Sequence, residues 1–417
     1  MSRRIVVIGA GMVGICAASW LKRDGHSVTV IDSGAPGEGA SFGNAGCLNA
    51  SSVVPMAMPG TIWKVPGWLL DPLAPLAIRR RYLPTLAPWL WRFVRAGNEA
   101  QVRRTAAALR ALLAPSLQRL MPLAADAGIE GLVHRAGHLF AYRSEAAFQA
   151  DRAAWDLRQA NGVSWESFDA DGLRQLEPAL TRAYRRGILV QENGHVDDPL
   201  ALVQGLAAAL VRNGGEIRRA RALGFVLDGG RVRTVRTDAG ELAADAAVLA
   251  AGAHSGPLAA ALGDRLPLET ERGYHAMVRD PEVMPRLPVS DAHGKFVATP
   301  MRQGLRLAGT VELAGLEAPP DWRRARVLLE AWRQLLPGLA PEPDAARLSF
   351  WMGHRPSLPD SLPAIGRSRA SPDIIYAFGH GHVGMAGAPM TGRLVADLVA
   401  ARPPAIELAP FDPARFA

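Results

Sequence analysis

Residues 5–32 read IVVIGAGMVGICAASWLKRDGHSVTVID, and the order of residue types in this stretch decides the fold. The β-branched run at 5–8 is typical of a short strand that is buried on both faces. Gly-x-Gly-x-x-Gly follows at 9–14 and opens an alanine-rich helical stretch. A second β-branched run at 27–32 ends in Asp32. This sequence of strand, glycine turn, helix, strand and acid predicts a dinucleotide-binding βαβ unit.

Each residue of the motif has a physical task in such a unit. Gly9 permits the tight turn after the first strand, and Gly11 removes a Cβ so that the helix N-terminus can approach a pyrophosphate. Gly14 lets the helix pack closely on the strand. Asp32 can accept hydrogen bonds from a ribose hydroxyl. The motif therefore indicates a phosphate and ribose site at one end of a parallel sheet.

Arg3 and Arg4 before the apolar residues 5–21 superficially resemble a signal peptide or a membrane span. The internal glycine pattern favours a strand and a helix instead, and the chain has no other apolar stretch of spanning length. We therefore expect no transmembrane helix and no cleaved signal. Cys16 and Cys47 are the only cysteines in 417 residues. Two cysteines exclude a disulfide framework and a zinc cluster, and they favour a reducing, cytoplasmic location.

The chain is basic, with a net charge of +8, and 44 of its 47 basic residues are arginine. The longest basic run is Arg79–Arg81, and acidic residues are interspersed along nearly the whole chain. A nucleic-acid partner is therefore not expected, because such proteins concentrate their basic residues on one surface. The remaining explanations are genomic composition, an anionic substrate or an anionic membrane.

The later elements are spread widely along the chain. A nicotinamide dehydrogenase would usually continue with adjacent βα units, whereas here the next clear pieces lie at 199–252 and 374–400. This interruption predicts a discontinuous cofactor domain with a substrate domain inserted in it. The predicted cofactor domain comprises residues 1–60, 190–265 and 352–417, and the predicted substrate domain comprises residues 61–189 and 266–351.

Four blocks of the sequence resemble the D-amino acid oxidase family of FAD-dependent oxidoreductases, most closely its bacterial D-amino acid dehydrogenase branch. These blocks are Gly9–Gly14 with Asp32; Ser41–Gly46; Val248–Gly252; and Trp351–Pro356 with its continuation through Pro359-Asp360 and Pro363–Gly366 to Gly379–Met385. The resemblance implies an α/β protein with a discontinuous Rossmann-like FAD-binding domain and an α+β substrate domain built on an inserted antiparallel sheet. Asp32 stands where many members have Glu, a change that keeps the ribose acceptor.

The resemblance also implies a reaction. FAD, bound without a covalent link, would take a hydride on flavin N5 from the α-carbon of a D-amino acid, and the electrons would pass to a quinone or another respiratory carrier. Glycine, sarcosine, D-proline or hydroxyproline-type amines remain open as substrates, with oxygen as an alternative acceptor. A flavin-binding partner subunit without turnover and a nicotinamide dehydrogenase also remain open. No general base is predicted, and no metal site.

The expected cofactor residues are small or lie at the start of a helix, because backbone must pass close to the cofactor. The Gly381–Met385 segment precedes the last helix, whose dipole would stabilise an anionic reduced flavin. The expected set is Gly9, Ala10, Gly11, Met12, Val13, Gly14, Asp32, Ser33, Ser41, Asn44, Ala45, Gly46, Cys47, Ala222, Ala251, Gly252, Gly381, His382, Val383, Gly384 and Met385.

Two residues are expected to act on the substrate. The resemblance places Arg355, in the segment Gly-His-Arg-Pro, as the clamp for the substrate carboxylate, for which a bidentate guanidinium is well suited. Tyr274 is expected to add a hydroxyl to that carboxylate or to line the pocket, with ordinary packing as the alternative.

The segment at 60–95 combines tryptophan, proline, leucine and arginine. Trp63, Trp68, Trp89 and Trp91 lie within it, together with the basic run Arg79–Arg81. Such a composition suits peripheral contact with a membrane interface, on the inner face of the cytoplasmic membrane. The alternative is packing of a proline-rich segment over the active site. The sequence leaves the oligomeric state open.

Overall fold

The computed structural model describes residues 2–71, 73–339 and 344–417, without the side chain of Lys64. Its strands are β1 (Arg4–Ile8), β2 (Ser27–Asp32), β3 (Cys47–Leu48), β4 (Leu76–Ile78), β5 (Val133–His134), β6 (His138–Tyr142), β7 (Glu166–Phe168), β8 (Arg186–Val190), β9 (Gly194–Val196), β10 (Glu216–Arg219), β11 (Ala222–Asp228), β12 (Arg231–Thr237), β13 (Gly240–Ala243), β14 (Ala246–Leu249), β15 (Glu269–Val278), β16 (Val289–Asp291), β17 (Phe296–Met301), β18 (Gly304–Leu313), β19 (Leu348–Ser357), β20 (Ala364–Arg367) and β21 (Ile374–Phe378). Its helices are α1 (Met12–Arg23), α2 (Val65–Leu70), α3 (Leu83–Ala96), α4 (Glu99–Leu113), α5 (Ser116–Ala127), α6 (Glu145–Ala150), α7 (Arg152–Ala160), α8 (Ala170–Leu176), α9 (Pro199–Arg212), α10 (Ser255–Ala260), α11 (Arg323–Leu335) and α12 (Gly384–Val399).

The first sheet, which we call the cofactor sheet, has the strand order β10-β2-β1-β14-β21-β20. Its pairs are parallel except for the last, β21 with β20. One face packs against α1, α9 and α12, and the other packs against α10 and the small antiparallel sheet β11-β12-β13. Since both faces are covered, the β-branched run of β1 is buried on both sides, as its sequence predicts.

The second sheet, which we call the substrate sheet, has the order β19-β15-β18-β17-β16-β6-β8-β7, and β4 pairs with β18. Apolar residues of α11, among them Leu328 and Trp332, cover one of its faces. The other face is turned toward the cofactor sheet: the β18 residue Arg306 donates to the carbonyls of Phe42 and Asn44 in the loop after β2. The two sheets therefore enclose a space between them.

The α/β class with an inserted sheet domain is confirmed, with two differences in detail. The substrate sheet is mixed, because β4 and β6 arrive from earlier parts of the chain and pair parallel with β18 and β16. Strand β19 runs across the boundary expected at 351/352, and residues 348–357 all pair with β15. Among the described helices, none is both long and apolar enough to cross a bilayer.

Candidate active site

A cavity of about 1710 Å³ runs between the cofactor sheet and the substrate sheet. Typical small-molecule pockets occupy ~300–1,000 Å³, so this one has room for a large ligand and a small one together. Its lining starts at the glycine turn after β1 and passes the loop that follows β2. It ends between the start of α12 and the substrate-sheet strands β18 and β19.

At the first end of the cavity the glycine turn leaves no space for side chains. Gly9 has φ +111°, and a Cβ there would lie 2.3 Å from the carbonyl oxygen of Ala250. A Cβ on Gly14 would lie 1.8 Å from the carbonyl oxygen of Gly9. Helix α1 therefore begins directly against the end of β1, with its N-terminal backbone facing the cavity. This close packing is the cradle that a dinucleotide pyrophosphate requires.

Two polar side chains hold this turn in place. The Asp32 carboxylate at the end of β2 accepts from the N–H of Ala10 at 2.7 Å and from the N–H of Gly34 at 2.9 Å. The Ser41 hydroxyl accepts from the N–H of Met12, the first residue of α1, at 3.0 Å. Asp32 thus stands where a ribose would follow the pyrophosphate. The first turn of α1 contains no acidic residue that would repel a phosphate from the helix N-terminus.

Most of the expected cofactor residues line this one cavity, although they come from six separate parts of the chain. Gly14 and Gly46 do not line the cavity but pack behind the residues that do. Gly14 packs on Gly9, and Gly46 has φ +74° and packs beside Val196. The residues that do line it are Gly9, Ala10, Gly11, Met12, Val13, Asp32, Ser33, Ser41, Asn44, Ala45, Cys47, Ala222, Ala251, Gly252, Gly381, His382, Val383, Gly384 and Met385.

Farther along the cavity, the loop after β2 faces the N-terminus of α12. A short 3₁₀ turn, Gly381–Val383, leads into α12, which has no acidic residue in its first turn. On the opposite side Gly43 lies on the ring of Trp351, where a Cβ would come within 2.0 Å of a ring carbon. A flat ring system fits between a helix N-terminus and a loop of small residues, which is the environment that an isoalloxazine needs.

Arg355 reaches the cavity because two glycines face each other across β15 and β19. Gly273 pairs with Gly353, and the Arg355 guanidinium lies over Gly273, where a Cβ would be 2.2 Å from its Cζ. Its Nη1 donates to the carbonyl of Thr310 at 3.2 Å, which is its one hydrogen bond among the described residues. The remaining donors are available to a ligand. Burial lowers the pKa of Arg355, and the nearby Glu271 opposes that shift.

The carbonyl that Arg355 uses belongs to a strained residue. Thr310 has φ +59°, in the left-handed region that a β-branched residue rarely adopts. The register of β15 with β18 shifts between Arg272 and Tyr274, and this irregularity lies opposite Thr310. Bulges of this kind re-aim groups next to active sites. Here the bulge turns a backbone carbonyl toward the guanidinium.

Glu271 is the residue of this site that the sequence did not reveal. Its carboxylate is 2% exposed; it contacts Nε2 of His382 at 2.6 Å and accepts from the Ser357 hydroxyl at 2.7 Å. Burial raises the pKa of Glu271, but His382, Ser357 and Arg355 outweigh burial, so the net shift is downward and the carboxylate is charged. No motif contains Glu271, since only strand pairing sets it beside Arg355.

The structure corrects the expectation for Tyr274. Successive residues of a strand point to opposite faces, so Tyr274 points away from the face that carries Glu271 and Gly273. Its side chain is 1% exposed, and its hydroxyl donates to the Glu312 carboxylate at 2.6 Å while accepting from the N–H of Asp321. Tyr274 is absent from the cavity lining. These contacts favour the alternative of ordinary packing, with Tyr274 beneath α11.

Within the described ranges no group of three or more His, Cys, Asp or Glu side chains could hold a metal ion. Glycine-rich backbone lines much of the cavity instead, with Asp32 toward one end and Arg355 toward the other. A long cavity that starts at a dinucleotide turn and finishes at a guanidinium defines an enzyme class that holds a dinucleotide cofactor beside a smaller ligand.

The chain belongs to the DAO family of FAD-dependent oxidoreductases, because the family's model matches residues 4–398. Its cofactor is accordingly FAD. Among curated proteins it is 49% identical to the D-amino-acid oxidase of Bradyrhizobium diazoefficiens over 419 aligned positions, covering 99% of each chain. It is 35% identical to D-amino acid dehydrogenase 2 of Ralstonia nicotianae, covering 99% of this chain and 100% of the relative.

Solved structures share the fold at lower identity. Glycine oxidase from Geobacillus kaustophilus superposes with a TM-score of 0.76 at 23% identity, covering 99% of this chain and 98% of that one. L-proline dehydrogenase from P. horikoshii superposes with a TM-score of 0.72 at 20% identity, covering 100% of this chain and 98% of that one. These proteins have different substrates by name, so the shared fold alone does not select one.

Proposed function

We propose that this enzyme oxidises D-amino acids at the α-carbon, with Arg355 binding the substrate carboxylate. The observation that carries the proposal is the Arg355 guanidinium at the far end of the cavity. It donates one hydrogen bond to the Thr310 carbonyl, and its other N–H groups are available to a ligand. The names of the two relatives above support the choice of D-amino acids.

FAD supplies the acceptor for the hydride that leaves the α-carbon. The turn after β1, with Asp32, would hold its nucleotide half, and the loop Ser41–Cys47 with the start of α12 would hold its ring. The chain's own task is to bind and orient the amino acid. A carboxylate fixed on Arg355 limits the substrate to a small number of poses.

Arg355→Ala tests the clamp, with Arg355→Lys as the conservative variant. Losing one partner of a buried charged pair costs ~2–5 kcal/mol, so kcat/KM should fall at least about 30-fold in the alanine variant while FAD stays bound. Lysine keeps the charge but not the bidentate geometry and should restore part of the loss. Arg103→Ala, on the exposed face of α4, serves as the control. Near-normal kinetics of Arg355→Ala would contradict the assignment.

Stereochemistry is tested by a panel of D- and L-amino acids, glycine, sarcosine and D-proline with an artificial dye as acceptor. We expect turnover of D-amino acids well above that of the L-enantiomers. Preference for glycine or sarcosine would shift the assignment to those amines. Full FAD occupancy without turnover of any of these compounds would indicate a flavin-binding subunit instead.

We infer that the electrons pass to a quinone or another respiratory carrier, since several full-length relatives are named D-amino acid dehydrogenase. An oxidase is the second candidate, because the relative at 49% identity is named D-amino-acid oxidase. Parallel assays of hydrogen peroxide in air and of quinone reduction under nitrogen separate the two. Peroxide formation as fast as quinone reduction would favour the oxidase.

We infer that FAD is held without a covalent bond, and the chemistry of Cys47 supports this. Burial raises the pKa of the Cys47 thiol to about 12, although Thr299 opposes the shift, so the nucleophilic thiolate is scarce at neutral pH. Acid precipitation should leave a colourless protein pellet and a yellow supernatant. A yellow pellet that survives washing would contradict this inference.

We also infer that residues 60–95 contact the inner face of the cytoplasmic membrane, with Pro72 outside the described residues. Trp63 is 84% exposed and Trp91 is 61% exposed, whereas Trp89 is buried against Phe93. The arginines exposed around them are Arg80, Arg81, Arg92 and Arg95. Exposed tryptophan with neighbouring arginine suits an anionic lipid surface. In low salt, the protein should sediment with anionic vesicles. The double variant Trp63→Ser with Trp91→Ser should sediment less. Val211→Ser, at an exposed position of α9, is the control and should sediment like the wild type.

A further inference from the structure

An amino acid in water carries an ammonium group, and the nitrogen needs a free electron pair before a hydride can leave the α-carbon. One N–H proton must therefore be removed before the redox step. Arg355 cannot take it, because a guanidinium has no acceptor atom. The proposed function thus leaves one task unassigned, and the wall beside Arg355 should be searched for a proton acceptor.

Among the described residues of the cavity wall, His382 is the histidine that contacts a carboxylate. Its Nε2 lies 2.6 Å from Oε2 of Glu271, and its side chain is 35% exposed, whereas Glu271 is buried. Ser357 holds the other carboxylate oxygen. With Nε2–H directed at Glu271, the ring is fixed in orientation and Nδ1 is the nitrogen left to accept a proton.

The same carboxylate connects His382 to the clamp. Glu271 on β15 pairs directly with Arg355 on β19. His382 and Arg355 both lower the pKa of Glu271. A substrate whose carboxylate rests on Arg355 carries its nitrogen on the neighbouring carbon, so it is presented to the same part of the wall. Glu271 contacts the imidazole directly, Arg355 lies next to Glu271 on the paired strand, and the first turn of α12 contributes no acid.

Three other histidines line the cavity: His254, His354 and His380. His254 makes no contact with a carboxylate among the described residues, and the other two are engaged elsewhere. The Nδ1 of His354 contacts the Thr270 hydroxyl, and burial lowers the pKa of His354 to about 4, with Arg272 and His254 adding to the shift. The Nε2 of His380 contacts the Thr391 hydroxyl, and burial lowers its pKa to about 3. Both lack a carboxylate that would stabilise a protonated ring.

We propose that His382 and Glu271 form a dyad that takes the proton of the substrate ammonium. An N–H bond of the ammonium breaks and its electron pair stays on the substrate nitrogen. The proton forms a new bond to Nδ1 of His382, and Glu271 balances the resulting imidazolium. The amine is then neutral when the hydride leaves, and the proton later returns to solvent. This proposal rests on the proposed function.

The test is a small-base rescue of His382→Ala. At neutral pH kcat/KM for the best D-amino acid should fall ~100-fold or more, the usual contribution of a positioned base. Added imidazole should restore at least about 10-fold of it, saturating with concentration. The loss should also shrink as pH approaches the pKa of the free substrate ammonium. Exposed His293, replaced by alanine, is the control and should show neither loss nor rescue.

A second readout keeps binding apart from proton transfer. A 2-oxo acid has the carboxylate but no ammonium, so its dissociation constant, followed by the flavin absorbance, should change less than about threefold in His382→Ala. Glu271→Gln should show a smaller kinetic loss with the same pH trend. A loss that is independent of pH and unaffected by imidazole would overturn the proposal. Wild-type protein without amino acid turnover would instead contradict the proposed function.

Discussion

The two ends of the cavity are built in different ways. At the nucleotide end, the turn 9–14 and Asp32 come from one continuous stretch, and neighbours in sequence are neighbours in space. At the substrate end, Arg355, Glu271 and His382 come from β19, β15 and the turn before α12, and the last two are 111 residues apart. A local motif specifies the first end, whereas strand register specifies the second.

The difference is also one of tolerance. The nucleotide end consists of backbone in contact with backbone, which cannot move aside when a methyl group is added. The substrate end consists of side chains over glycine, and the tips of these side chains can shift. Substitutions at the first end should therefore abolish assembly, whereas those at the second should alter kinetics in a folded protein.

Gly14→Ala should have the largest effect. Its Cβ would come within 1.8 Å of the Gly9 carbonyl oxygen, so α1 must separate from β1. We expect a destabilisation of more than about 3 kcal/mol, at the upper end of overpacking effects, together with loss of FAD. Thermal unfolding and flavin content measure this. Gly131→Ala, where the added Cβ meets open space, is the matched control. A stable Gly14→Ala protein with a full complement of FAD would show that the nucleotide end tolerates substitution as well as the substrate end does.

Gly273→Ala should have an intermediate effect, confined to kinetics. The new Cβ would displace the Arg355 guanidinium, which otherwise lies 2.2 Å from that position, without removing the charge. A misplacement of about 1 Å can cost ~100-fold in kcat/KM, and we expect a loss of that order with FAD retained. The double variant with Arg355→Ala should be no worse than Arg355→Ala alone. Additive losses would show that Gly273 acts by another route.

Tyr274→Phe should have the smallest kinetic effect. Without its hydroxyl, the Glu312 carboxylate and the N–H of Asp321 each lose a partner, which costs ~1–3 kcal/mol of unfolding free energy. KM and kcat should stay within about twofold. Tyr376→Phe, which removes a similar hydrogen bond to Asp264, should destabilise in the same way. A large rise in KM for Tyr274→Phe alone would return Tyr274 to the substrate site.

Much of this molecule is readable from its sequence because much of it is locally determined. The motif at 9–14, the β-branched strands and the helix that opens at Pro199 all follow from neighbouring residues. Tyr274 fails as a prediction because β-strand alternation decides its face, and no local signal marks which face meets the cavity. Glu271 stays hidden for a related reason: an acid within a strand indicates nothing until β19 is placed beside it.

The pairing of Gly273 with Gly353 has a consequence for how this enzyme can change its substrate. Neither glycine carries a side chain, and the space over them is filled by the Arg355 guanidinium and the Trp351 ring. A mutation that reshapes the pocket without displacing these two side chains must therefore lie in other parts of the lining, such as Val54, Met56 and Met58. Natural variation and laboratory evolution of side-chain preference should accordingly concentrate in that part of the lining, with Gly273 and Gly353 left unaltered.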